Sequence, residues 1–325
     1  MTLPYGAEQA LGRLTTEDQH FAEERPIRRR WPPGAFPLLM FVLTALSTIW
    51  VGLAAWSPDW VMMKAYEEGS AHIVRRCVLA NWHTGLLFSG SLLGILLAHE
   101  FGHYCMMRLY GIRSTFPIFI PFPISPFGTC GALIVMDPSR ADRKQIFDIG
   151  IAGPLAGLVV AIPLAILGLL HPDGPPFPQP DGLKLGQPLI MMLLNNWIGM
   201  DAMSSVAAIN TSTASPFFMA AWIGFFITGI NMMPISQLDG GHVAFGIFGS
   251  FASWIAKATF LIAVVYLVWS QLYGLSLMLL LILMMGVTHP PSSDDRQTIG
   301  LFRTILGLTS MSLPVFCIAA KPFHF

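Results

Sequence analysis

The chain has 325 residues, 54% of them hydrophobic and only 11% charged. Soluble domains carry about a quarter charged residues, so a water-soluble globule is excluded. Eighteen Lys+Arg offset 18 Asp+Glu, which removes the electrostatic case for nucleic-acid binding. The four cysteines (Cys77, Cys105, Cys130, Cys317) are dispersed, with no CxxC pair, so neither a disulfide framework nor a cysteine zinc cluster is indicated.

Taken in chain order, residues 1–35 mix both charge signs before any long apolar run. They read as a retained cytoplasmic tail and not a cleaved leader. A helix crossing a ~30 Å hydrocarbon core needs roughly 20 apolar residues. Spans are predicted at about 36–56, 83–107, 146–170, 216–238 and 254–272, with a short one at 274–289 and a last apolar stretch at 300–320 that could also lie along the surface. The fold class expected is a polytopic α-helical membrane protein with about six to seven transmembrane helices. With the N-terminus inside, 13 of the 18 Lys+Arg fall on the cytoplasmic side and 5 outside; the run RPIRRRW (residues 25–31) precedes the first span, as the positive-inside rule requires.

Two segments do not read as spans. Residues 113–136 hold four prolines between apolar stretches rich in Phe, Ile and Thr, which predicts two extended pieces joined by a Pro-Gly turn. Such a hairpin cannot face lipid with open edges, so it should pack on helices or line a cavity. Residues 171–215 open on the Pro-rich HPDGPPFPQPDG and continue with GQPLIMMLLNNWIGM, too short to span and expected at the interface. The stretch GGHVAFGIFGSFAS (240–253) is expected to continue inward before the chain turns.

The chemistry concentrates in HEFGH, residues 99–103, inside the second predicted span. Residues at i and i+4 share a helix face, so His99 and His103 can reach one metal ion. Glu100 stands where a general base for metal-bound water is needed. In a soluble helix this pattern could be a satisfied polar cap, but ionisable groups inside hydrocarbon are costly and point to function. Two histidines leave a catalytic zinc site one protein ligand short. Asp239, in NMMPISQLDGGH (231–242), should lie at a similar depth; His242 is a competing ligand, and a helix-ending Asp-Gly turn is the non-functional alternative. His72, His83, His171 and His289 sit at predicted loop edges and are read as interfacial. The small residues of AGPLAG (152–157) are read mainly as helix packing, Asp148 as a helix-end residue or an ion-pair residue partnered by Arg143 or Lys144, and Pro234 as a bend aiming Asp239. The methionine runs are read as packing filler.

HEFGH in one membrane helix, AGPLAG in the next and NMMPISQLDGG in a later one together resemble the site-2 protease family of intramembrane zinc metalloproteases, over roughly residues 83–245. The resemblance implies His99, His103 and Asp239 as ligands of one Zn2+ and Glu100 as general base. It implies Asn231 as a contact to substrate or oxyanion; an amide inside a span also reads as a cross-helix hydrogen-bonding group. The stretch GTCGALI (128–134), with Gly128, Thr129 and Gly131 as substrate-binding positions, is similar to the family's re-entrant membrane β-hairpin. The PDZ domain that many bacterial relatives carry between the third and fourth spans is absent between those spans here. The implied substrates are single-span membrane proteins, and a bacterial inner membrane fits the compact layout. The expected organisation is a tail (1–35), a first span and external loop (36–82), a catalytic core (83–245) and C-terminal spans (246–325). A metal carrier or sensor that does not hydrolyse, a membrane-segment binder, or a membrane metallopeptidase acting on prenylated or soluble peptides would be alternative readings; Glu100 beside the first histidine argues against a carrier.

Overall fold

The computed structural model describes residues 34–136, 141–177, 184–199, 208–235, 237–271, 276–287 and 297–324. The basic run at 25–31, nearly all of the N-terminal tail, the middle of the Pro-rich loop and His289 lie outside the described residues. Helix α1 spans Ala35–Leu53, α2 Pro58–Glu67 and α3 His72–Leu109; strands β1 (Ile118–Phe122) and β2 (Gly128–Leu133) follow, then α4 (Arg143–Leu170). Next come β3 (Lys184–Gly186), α5 (Leu189–Ile198), β4 (Ala208–Asn210), α6 (Pro216–Asn231), α7 (Asp239–Phe248) and α8 (Ala252–Ser270). The chain ends with α9 (Ser276–Met285), α10 (Leu301–Ser310), α11 (Leu313–Cys317) and β5 (Phe323–His324).

Four helical segments among the described residues are long and apolar enough to cross a membrane: Ala35–Leu53, His72–Leu109, Arg143–Leu170 and the near-continuous Asp239–Ser270. At ~1.5 Å per residue, the 38 residues of α3 exceed a bilayer core, so the span expected at 83–107 extends N-terminally to His72. The span expected at 216–238 is two pieces. Helix α6 ends at Asn231, and α7 starts at Asp239 and runs on towards α8. Pro234 therefore sits in a break between helices and does not bend one continuous helix.

Helix α6 is apolar on every side, the pattern of a helix enclosed by protein, and between Phe218 and Ile230 only Ile227 is less than fully buried. Around it pack α3, α4 and α11. Helix α8 is equally apolar but turns Trp254, Leu261, Ile262, Val265, Val268 and Trp269 outward. Exposed apolar surface on that scale suits lipid and not water.

The segment 113–136 forms an antiparallel hairpin of β1 and β2, with a register shift between Phe119 and Pro121. Pro121 has no N–H to offer a ladder, and the Thr129 hydroxyl compensates by donating to the Ile120 carbonyl at 2.9 Å. A second, three-stranded sheet orders β4-β3-β5. It brings the C-terminal Phe323 opposite Leu185, while Arg303 at the start of the same segment binds Asp148 near the start of α4. The last segment thus joins one end of α4 to a sheet formed by the connection that follows its other end.

Candidate metal centre

Helix α3 carries His99, Glu100 and His103, all buried. Asp239 is the first residue of α7, where a carboxylate is favoured by the positive end of the helix dipole. The turn that delivers it is tight. Gly240 lies so close to the Met232 and Met233 carbonyls that a Cβ would stand 2.1 Å from the Met232 oxygen, so only glycine fits.

The three side chains converge. His99 Nε2 is 3.0 Å from Asp239 Oδ2, His103 Nε2 is 3.2 Å from Asp239 Oδ1, and the two Nε2 atoms are 3.1 Å apart. Ligand atoms around tetrahedral zinc stand about 3.3 Å from one another, given Zn–N and Zn–O distances of about 2.0–2.1 Å. The three groups therefore fit a single zinc ion. The donor set agrees: His103 Nδ1 lies 2.8 Å from the Ile149 carbonyl, which accepts a hydrogen bond from Nδ1–H and leaves Nε2 as the lone-pair donor facing the cluster. Glu100 adjoins His99 on the same helix and is buried with both histidines. His242 is not in the convergent set; among the described residues the three-ligand group is His99, His103 and Asp239.

Helix α4 supplies what the sequence reading undervalued. Gly150, Gly153 and Gly157 share one face at i, i+3, i+7. A Cβ at Gly153 would stand 2.1 Å from His103 Nε2, one at Gly157 3.3 Å from His99 Cβ, and one at Gly150 2.7 Å from His242 Cβ and 3.1 Å from the Asp239 carbonyl. AGPLAG is thus helix packing of a particular kind, with the imidazoles lying on bare backbone. Gly150 was overlooked, although the small-residue spacing GIAGPLAG carried the signal. Asp148 is paired differently from expectation. Its carboxylate binds Arg303 (Nε–Oδ1 2.7 Å) and accepts from the Tyr110 hydroxyl at 2.5 Å. Arg143 reaches the Gly246 and Ile247 carbonyls instead, both at 2.9 Å, tying α4 to the end of the Asp239 helix.

Asn231 is the last residue of α6, partly exposed. The Gly128 carbonyl accepts from Ser47 Oγ at 2.6 Å, and a Cβ at Gly128 would meet Thr48 Cα at 2.8 Å, so this residue anchors the hairpin on α1. The Thr129 hydroxyl serves the hairpin itself, as above, and accepts from the Gly131 N–H at 3.0 Å. Gly131 has a positive φ of 97° and open space where a Cβ would stand.

Comparison with protein families matches residues 87–272 to Peptidase family M50. The chain is 30% identical over 223 residues to "Probable zinc metalloprotease EGY1, chloroplastic" of Oryza sativa subsp. japonica, covering 65% of this chain and 37% of that protein. It is 29% identical over 227 residues to the protein of the same name from Arabidopsis thaliana (65% and 39%), and 30% identical over 177 residues to "Probable zinc metalloprotease EGY2, chloroplastic" of Arabidopsis thaliana (51% and 28%). The chain thus spans well under half the length of these relatives.

Proposed function

The chain belongs to peptidase family M50, and from that premise we propose that it is an intramembrane zinc metalloprotease cutting transmembrane substrate segments near the cytoplasmic face. The observation that carries the reading is the meeting of His99 and His103 with Asp239, 136 residues further along the chain from His103, in zinc-sized geometry. One Zn2+ held there would polarise a peptide carbonyl and acidify a bound water. Glu100 is the group placed to take a proton from that water and return it to the leaving amine. The Ile149 carbonyl holds the His103 ring in one tautomer throughout, and the bare face of α4 keeps both imidazoles from swinging away. Asn231 is the amide we assign to substrate or oxyanion contact, because it ends the helix preceding Asp239.

A transmembrane substrate must unwind before its amides can be reached, and the hairpin offers a template. We read it as re-entrant. Its base, the Ser114–Met136 bridge, follows closely on the end of α3. Its tip packs Phe127 against Trp222, Phe226 and Phe323, and Gly128 rests on Ser47, 12 residues or about 18 Å into α1. Strand β1 lies more closely on α1 than β2 does, which supports β2 as the edge that pairs with extended substrate, open at Gly131, shaped by Thr129 and anchored on α1 by Gly128. Single-span membrane proteins are the substrate class this implies.

Six to seven crossings with the catalytic core at 83–245 remain our reading of the layout. The run of residues 303–323 from Asp148 to β3 supports a last crossing, and Trp254 and Trp269, exposed at the two ends of α8 as interfacial anchors, support a crossing by α8. The charge asymmetry supports a cytoplasmic N-terminus; Arg30→Cys should be shielded and Tyr66→Cys labelled by a membrane-impermeant thiol reagent added outside, and the reverse pattern would invert the topology. For the membrane itself we favour a bacterial cell membrane on the compact layout, with an organelle membrane, as in the names of the chloroplastic relatives, the competing placement.

The metal reading is tested by the zinc content of detergent-purified protein. About one zinc per chain is expected in the wild type and in His242→Ala, with loss in His99→Ala and Asp239→Ala. Zinc lost from His242→Ala but kept in Asp239→Ala would move the third ligand, and a folded wild type without zinc would end the catalytic reading.

A further inference from the structure

The carboxylate of Asp148 joins three elements. It takes both a bidentate pair from Arg303, with Nε at 2.7 Å and Nη2 at 2.9 Å, and the Tyr110 hydroxyl at 2.5 Å. Tyr110 follows directly on α3, two helical turns beyond His103. Asp148 precedes Ile149, whose carbonyl holds His103 Nδ1. Arg303 lies on α10, outside the matched residues 87–272. Helix α10 is seated too closely to slide: a Cβ at Gly307, one turn on from Arg303, would stand 2.6 Å from Ile247 Cδ1 and 2.7 Å from Phe147 Cε2. A guanidinium fork on a carboxylate fixes orientation as well as distance, which a lysine cannot do. Burial and the bond to Asp148 both raise the Tyr110 phenol above its ordinary value, so it stays a donor across the working pH range.

We propose that Arg303 is a positioning residue for the metal centre: through Asp148 it fixes the Ile149 carbonyl beneath His103 and, through Tyr110, the end of the helix that carries both histidines. The inference rests on the zinc reading above and extends the functional unit to a C-terminal helix outside the matched core. Removing a group that orients a metal-bound histidine typically costs 10–100-fold in metal affinity or activity; acting through one further residue, Arg303 should sit near the lower bound.

The test uses the full chain in detergent, with zinc affinity read by competition against a chromogenic chelator, and cleavage and thermal unfolding measured beside it. Arg303→Gln is expected to weaken zinc about tenfold and to lower kcat more than KM, with Arg303→Lys recovering part of both. Tyr110→Phe, which keeps the ion pair and should fold whatever Arg303→Gln does, is expected to weaken zinc about threefold. If either folded variant, Arg303→Gln or Tyr110→Phe, binds zinc as the wild type does, the inference is overturned, whatever happens to its unfolding temperature. His99→Ala separates the two levels. Its loss of zinc beside an unaffected Arg303→Gln would sink the inference alone, whereas a wild type without zinc would remove the site reading and the inference together.

Discussion

Glu100→Gln is expected to lower peptide-bond cleavage by about 10³-fold or more while zinc content stays at the wild-type level. The glutamine has nearly the shape of the glutamate, so α3 and the packing around it have no reason to change. What it loses is the ability to accept a proton, and a well-placed general base contributes about 10²–10⁴-fold. Glu100 is itself no member of the three-ligand cluster, so the metal should remain. Such a buried carboxylate among two imidazoles and an aspartate is expensive inside hydrocarbon, which a purely structural role would not justify. The measurement is turnover of a single-span reporter in proteoliposomes, with metal content determined on the same preparation. Wild-type turnover by the variant would remove Glu100 from the chemistry.

Gly153→Ala should be nearly as damaging by a different route, through loss of the metal. A methyl group at position 153 would stand 2.1, 2.4 and 2.5 Å from three atoms of the His103 ring, well inside van der Waals contact. The ring is held from its other side by the Ile149 carbonyl, so relief requires breaking that bond or separating α3 from α4. Either displaces a ligand by the ~1 Å that a metal or catalytic site does not tolerate. Zinc affinity and cleavage should both fall by at least about 10²-fold. Gly157→Ala provides the contrast: its added carbon would meet His99 Cβ at 3.3 Å and Nδ1 at 3.4 Å, a few tenths of an ångström from comfortable contact. The neighbour can yield that much, and a loss of no more than about threefold is expected. Equal tolerance at both positions, read by zinc retention, would mean that α4 does not press on the histidines as described.

Some of this was legible before any coordinates because the physics is local or compositional. The 3.6-residue period puts His99 and His103 on one face, and the cost of charge in hydrocarbon singles out HEFGH as the candidate for function. The prolines of 113–136 deny a helix, and the hairpin duly forms from 118 to 133. Loop breaks inside apolar runs were harder. The stretch 216–238 has hydropathy enough for one span, yet α6 stops at Asn231 so that a turn can present Asp239 at a helix start, and hydropathy carries no record of that.

What the sequence by itself determined is the chemistry available: a membrane chain with an HExxH helix, a distant aspartate that could complete a zinc site, and an apolar hairpin beside it. Only the tertiary structure decided partners. It chose Asp239 over His242 for the convergent cluster, gave Asp148 to Arg303, 155 residues away, and not to its neighbours Arg143 and Lys144, and turned a glycine pattern that looked like generic packing into the surface on which His103 lies. The reason is physical: periodicity fixes what shares a face within one helix, whereas which faces meet is set by how closely backbones can approach, and at Gly150, Gly153 and Gly240 that approach is too close for any side chain.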